Sequence, residues 1–189
     1  IKATELPYDM QPAIVEYCRK RGIPFLSTPF GLRDVDILEE LGVPAFKVAS
    51  FEMTHFPLLR RVGQTGKPVI LSTGMSTLGD IEKALNAIAQ AGNSRVILLH
   101  CVSNYPAKSE QANLRAIQTL KTTFGCPVGF SDHTPGIEVA KIAIAIGANV
   151  VEKHITVDQN LPGPDHYFSL TPDQLIALVQ AAREIEMVL

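Results

Sequence analysis

Six short apolar runs recur along the chain, at residues 23–27, 45–49, 68–72, 95–100, 127–130 and 149–151. Each is nearly continuous in apolar residues. A strand with one face in water alternates apolar and polar positions, whereas a strand covered on both faces does not. The six runs therefore predict strands of a parallel sheet buried on both sides. Between them lie stretches with apolar residues at helical spacing. One covers residues 10–21 and stops before Gly22, which suits a left-handed C-cap. Another covers 77–91, with Asp80 near its start, where the helix dipole favours a negative charge. An Ala/Ile-rich stretch over 137–146 ends before Gly147. Thr171-Pro172-Asp173 opens a last helix, with proline in its first turn.

Regular βα repetition predicts a parallel α/β fold. An open doubly wound sheet and a closed barrel both satisfy the pattern. A closed (β/α)₈ TIM barrel takes eight units and about 250 residues. Six units thus predict either an open sheet or a barrel whose first two strands lie upstream of residue 1. No low-complexity segment or internal linker interrupts residues 1–189, which read as one domain.

Composition narrows the partners. With 46% hydrophobic and 19% charged residues, the chain can bury a sizeable core. A formal net charge of −2 offers no attraction for nucleic acid or an anionic membrane, so any anion site must be local. Cys18, Cys101 and Cys126 lack metal-type or redox-type spacing, and an odd, scattered set suits a reducing compartment. No apolar run reaches the roughly 18 residues of a membrane span. Residues 1–5 have no signal-peptide layout and no starting Met, so the chain is expected to begin inside a longer protein. A cytoplasmic location is the expectation.

Polar residues gather just after the apolar runs: Ser27-Thr28, then Lys47 with Ser50 and Glu52, then Ser72-Thr73-Gly74. His100, Ser103, Asn104 and Tyr105 follow, then Ser131-Asp132-His133 and Glu152-Lys153-His154. In βα folds these are the C-terminal strand ends, where active sites are built. Lys47 and Lys153 lie in apolar strands, where a lysine is costly unless paired or solvated. Each is read either as a snorkelling edge residue or as an anion ligand. With Thr28, Ser50, Ser72 and Ser131 nearby, the two ammonium groups suit a phosphate and a carboxylate. His133 and His154 fall at consecutive strand ends. They are read either as core histidines or histidines that brace other site groups, or as a pair for a first-row divalent metal such as Mn²⁺, with oxygen ligands from water or substrate. His100 reads as a hydrogen-bonded core residue, and His55 and His166 fall in loops. Asp165, in the turn Gly163-Pro164-Asp165-His166, is either a solvated loop residue or a group for sugar hydroxyls or protons. Gly74 reads as a turn glycine, and no Gly-x-Gly-x-x-Gly follows a strand, which argues against a dinucleotide site.

These residues resemble the sialic acid synthase family, which makes N-acetylneuraminate, legionaminate and pseudaminate. The matching stretches are Ser27-Thr28-Pro29-Phe30, Phe46-Lys47-Val48-Ala49-Ser50, Leu71-Ser72-Thr73-Gly74-Met75 and Leu99-His100-Cys101. Gly129-Phe130-Ser131-Asp132-His133-Thr134, Glu152-Lys153-His154 and Gly163-Pro164-Asp165-His166 match as well. The resemblance implies a barrel enzyme condensing phosphoenolpyruvate with an amino-sugar aldehyde. It implies that Thr28, Lys47, Ser50, Ser72, Ser103, Ser131 and Lys153 bind phosphoenolpyruvate. Tyr105, Glu52 and Asp165 would face the sugar, with Glu52 and Asp165 as candidates for proton transfer. His133 and His154 would bind Mn²⁺ or a similar ion such as Mg²⁺ or Co²⁺. Ser103 is a departure, since the family often has Asn two residues before this tyrosine. Full-length members carry two further strands upstream and a small C-terminal antifreeze-like domain, both expected to lie outside this chain, and the full-length protein is expected to be a homodimer. The closest competing reading is a barrel synthase of the same chemistry that uses phosphorylated sugars, against which stands the lack of a spare Arg cluster at the strand ends. A Schiff-base lysine aldolase and an inactive sugar-binding barrel module are the others.

Overall fold

The computed structural model describes residues 6–189; residues 1–5, read above as lacking a leader layout, lie outside them. Five parallel strands form one sheet in chain order: β1 (Phe46–Val48), β2 (Val69–Ser72), β3 (Val96–Cys101), β4 (Val128–Asp132) and β5 (Val151–Lys153). The helices are α1 (Gln11–Arg21), α2 (Leu32–Glu40), α3 (Phe56–Gln64), α4 (Leu78–Gln90), α5 (Arg115–Phe124), α6 (Glu138–Ala145) and α7 (Pro172–Val188). The end signals operate as expected. Gly22 closes α1 at φ 67°. The Thr77 side chain caps α4 while Asp80 reaches back to the cap. Thr171 caps α7, with Pro172 at its first position.

The first of the six runs does not join the sheet. Among the described residues, 23–27 form no strand. Pro24 has no N–H for a ladder, and the Ile23 N–H is taken by the Cys18 carbonyl at the end of α1. Ile23 is exposed, and only Phe25 of this segment packs against the core.

The sheet's helix-facing side carries the core. Phe46, Val48, Leu71, Leu98, Val128 and Phe130 are buried against Val35, Leu58, Leu59, Ile88 and Ile117. Each fully buried side chain of this size contributes about 1.5–3 kcal/mol. The opposite side is concave. In a flat five-stranded sheet the outer strands would stand about 19 Å apart, four spacings of about 4.8 Å. Yet Lys47 Nζ on β1 lies 3.4 Å from Glu152 Oε1 on β5. Side-chain length alone does not close that gap, so the five strands curl into a half-barrel. One close approach tightens the curve: a Cβ on Gly129 would sit 2.3 Å from the Val150 carbonyl oxygen, so only glycine lets β5 come this near β4. No helix among the described residues is long and apolar enough to cross a membrane.

Candidate active site

At the C-terminal ends of the strands the concave side holds a cavity of about 610 Å³. Strand alternation decides what faces it. Ser131 pairs in register with Glu152, and Asp132 with Lys153. Side chains two apart share a face, so Ser131, His133, Glu152 and His154 point into the cavity while Asp132 and Lys153 point away. Thr28, Ser50, Tyr105 and Asp165 join the lining from loops.

One wall carries donors. Lys47 Nζ lies beside Glu152 and donates to the Val48 carbonyl at 3.2 Å. The Ser131 hydroxyl donates to Glu152 Oε2 at 2.6 Å. Ser72 Oγ is buried and has no hydrogen-bond partner among the described residues. A buried hydroxyl in this state is a standing donor for whatever enters the cavity. Ser50 Oγ accepts from the Gly74 N–H at 3.0 Å. Gly74 is more than a turn residue: a Cβ there would lie 2.4 Å from Ser103 Oγ and 2.9 Å from Ser50 Oγ, so the glycine lets two hydroxyls crowd one backbone segment.

Two residues further along from Ser131 on β4 and Glu152 on β5, on the same face, the lining carries rings. His133 and His154 have centroids 5.4 Å apart, and the Tyr105 ring lies 4.1 Å from His133 and 5.9 Å from His154. His133 Nδ1 donates to the Val102 carbonyl at 3.0 Å. That bond leaves Nε2 as the lone-pair nitrogen, the tautomer a metal-ligating histidine needs. Burial, with smaller opposition from the Val102 bond, pushes the His133 pKa below the ordinary imidazole value, so the ring holds its lone pair into mildly acidic solution. His154 Nδ1 lies 3.7 Å from Asp165 Oδ2. Burial, and then the negative groups around it, push the Tyr105 phenol up to about 12, so it stays a neutral donor. The two imidazoles fit a divalent cation only with oxygen donors from outside the protein, because no group of three or more His, Cys, Asp or Glu side chains converges among the described residues.

Several residues implicated by sequence lie elsewhere. Lys153 Nζ forms an ion pair with Asp132 at 2.8 Å and donates to the Thr134 carbonyl, on the face away from the cavity. Glu52 Oε2 pairs with His55 Nδ1 at 3.0 Å on the turn after β1 and does not line the cavity. Ser103 packs against Gly74 and does not line the cavity. His100 is the core residue it was read to be: Nε2 donates to the Ala112 carbonyl at 2.7 Å, and its ring stacks on Phe130. His166 Nδ1 meets Thr156 Oγ1 at 2.8 Å. Two titratable cavity residues, Glu152 and Cys101, received no role from sequence. Glu152 was passed over for its neighbour Lys153, although the period of two that puts His154 in the cavity puts Glu152 there as well. Cys101, whose Sγ is 3.9 Å from His133 Nδ1, was read only for its redox class.

A curled parallel sheet with hydrogen-bond donors and two imidazoles gathered at its strand ends defines a barrel-type α/β chain with a polar site. The chain belongs to the NeuB family, whose model matches residues 1–189. It is 45% identical over 188 residues to the N,N'-diacetyllegionaminic acid synthase of Campylobacter jejuni, covering 98% of this chain and 56% of that protein. The solved N-acetylneuraminic acid (sialic acid) synthetase of Leptospira borgpetersenii, in complex with citrate, superposes with a TM-score of 0.95 at 38% identity, over 100% of this chain and 66% of that one. A truncated 3-deoxy-D-arabino-heptulosonate 7-phosphate synthase from Thermotoga maritima shares the fold, with a TM-score of 0.85 at 20% identity, over 97% and 73% of the two chains. The chain spans about half the length of the curated relatives it matches.

Proposed function

We propose that the protein carrying this chain is a nonulosonic acid synthase, an enzyme that condenses phosphoenolpyruvate with the open-chain aldehyde of an N-acetylated amino sugar. N-acetylmannosamine and di-acetamido deoxy sugars are the acceptor candidates. One observation carries the reading: a lysine and four hydroxyls (Thr28, Ser50, Ser72 and Ser131) share a single cavity at the strand ends with two imidazoles and a phenol. The first set suits a phosphate and a carboxylate, and the second suits a polarised carbonyl with its hydroxyl neighbours. The family and its named synthases favour the same chemistry. In this reading the remaining barrel strands come from the rest of the protein and close eight around the cavity.

The reaction joins C3 of phosphoenolpyruvate to the aldehyde carbon. Water adds to C2, the bond from C2 to the phosphate oxygen breaks, phosphate leaves, and the former aldehyde oxygen takes a proton. Lys47, Ser72 and Ser131, with Thr28 and Ser50, hold the phosphate and carboxylate so that C3 faces the acceptor, an orientation effect. The ammonium group of Lys47 also offsets charge as it moves to the leaving phosphate. His133 and His154 would hold a divalent cation, Mn²⁺ by preference, which when bound supplies Lewis-acid polarisation of the aldehyde oxygen. Tyr105, kept neutral, donates to the sugar, and Asp165 stands beside His154 to accept a sugar hydroxyl or a proton from the attacking water. Glu52 is the second candidate for that proton, provided it leaves His55. Lys153 acts through Asp132 by fixing the segment that carries His133.

Phosphoenolpyruvate labelled with ¹⁸O at the bridging oxygen tests the bond that breaks. The proposal expects the label in the released phosphate; label retained in the sugar acid contradicts it. Borohydride trapping with pyruvate tests the aldolase reading, which needs a free amine. Both strand lysines are ion-paired, Lys47 with Glu152 and Lys153 with Asp132, so no adduct is expected.

A further inference from the structure

We propose that Glu152 is a built-in stand-in for the substrate anion: its carboxylate holds the donors that a phosphate or carboxylate must use, so substrate binding is an exchange of one anion for another. The inference rests on the anion-binding role proposed above for Lys47 and Ser131. Both Glu152 oxygens are engaged on that wall, Oε1 at 3.4 Å from Lys47 Nζ and Oε2 accepting the Ser131 hydroxyl at 2.6 Å. Ser72, on the same wall, is left without a partner. A substrate phosphate seated on Lys47 with Glu152 still in place would bring two anions onto one ammonium group, and like-charge repulsion in a half-enclosed site opposes keeping both.

Two ion pairs, Asp132–Lys153 between β4 and β5 and Lys47–Glu152 between β1 and β5, show which one can open. Asp132 and Lys153 are 0% and 6% exposed, so their separation would strand a buried charge. Lys47 is 12% exposed but Glu152 is 39% exposed. Its carboxylate can turn into water while the lysine stays fixed, and solvent screening keeps the cost of parting small. The lysine is the fixed element and the glutamate the exchangeable one. The consequence is selectivity. A weak monoanion cannot displace an intramolecular carboxylate, whereas a ligand bearing phosphate and carboxylate together, and reaching Ser72 as well, can.

The test is direct binding of inorganic phosphate and of phosphoenolpyruvate to the full-length protein, by calorimetry in metal-stripped buffer so that no cation held by the histidines contributes. Glu152→Gln is expected to bind inorganic phosphate about five- to tenfold tighter than the parent. Glu152→Asp, which keeps the charge but cannot span to both donors, is expected to fall between them and decides the matter should the Gln variant fail to fold. Lys47→Met is expected to lose phosphate binding with either residue at 152. If Lys47→Met abolishes binding while neither Glu152 variant tightens it, the exchange proposal is wrong and the anion-site reading stands. If Lys47→Met leaves phosphate affinity intact, the anion-site reading fails and takes this proposal with it.

Discussion

Lys153 and Asp132 form an enclosed ion pair, Nζ 2.8 Å from Oδ2, one residue before each of the two cavity histidines. Asp132 Oδ1 also accepts the Thr134 N–H and hydroxyl, both at 2.8 Å, and Lys153 donates to the Thr134 carbonyl. The pair pins β4 to β5 from behind the cavity. Lys153→Met is therefore expected to destabilise the protein by about 3–5 kcal/mol, because it leaves an enclosed carboxylate without its cation. Denaturant unfolding of the full-length protein measures this. A variant with unchanged stability but weakened phosphoenolpyruvate binding would instead make Lys153 an anion ligand.

Gly129→Ala and Gly74→Ala separate fold from site. At residue 129 the added methyl meets the Val150 backbone oxygen, which cannot move without shifting β5, so a stability loss of about 3 kcal/mol is expected. At residue 74 the nearest atoms are the Ser103 and Ser50 hydroxyls, which can rotate away. That variant is expected to remain folded, with a smaller stability loss of about 1 kcal/mol, while losing substrate affinity because Ser50 is turned from its place. Thermal unfolding and substrate titration of both variants distinguish the two effects.

Acid sensitivity follows from His100. Burial pushes its pKa below the ordinary value, against a smaller pull upward from the bond to Ala112. The unfolded chain therefore takes up a proton at a higher pH than the folded one. The stability this neutral ring contributes is complete above about pH 6.5 and is lost as the pH falls from there through the folded value. His100→Gln keeps a donor for the Ala112 carbonyl but does not titrate. It is expected to flatten the decline in unfolding free energy as the pH falls below about 6.5. An unchanged slope would assign the acid sensitivity to other groups.

His133→Ala combined with His154→Ala is expected to weaken Mn²⁺ binding by about 100-fold or more, since removing supporting partners of ligands alone costs 10–100-fold. Titration of the paramagnetic ion measures the affinity without turnover. Mn²⁺-dependent turnover that survives the double substitution contradicts the metal assignment.

Much of this architecture is legible in the residues. Continuous apolar runs marked all five strands, and Gly22, Thr77, Asp80 and Pro172 marked helix ends, because these signals act within a few residues of themselves. The run at 23–27 misled because hydrophobicity reports burial, not pairing. Pro24 denies the ladder a donor, and that signal was present. The site was legible as a set of strand ends but not as two faces. Reading Glu152-Lys153-His154 as a cluster made the lysine the natural anion ligand. The alternation that turns Lys153 outward and Glu152 inward needs the register of β4 on β5, which is a long-range fact. The Glu52–His55 contact and the Lys47–Glu152 contact likewise depend on turn geometry and on the curl of the whole sheet.

The measurement that tests the central claim most directly is phosphate release from phosphoenolpyruvate by the full-length protein with Mn²⁺, with N-acetylmannosamine and di-acetamido sugars tried in parallel. The account predicts release that requires one of these sugars and is lost in Lys47→Met. A folded protein that binds Mn²⁺ yet releases no phosphate with any of them, or releases it equally without sugar, would contradict the synthase assignment.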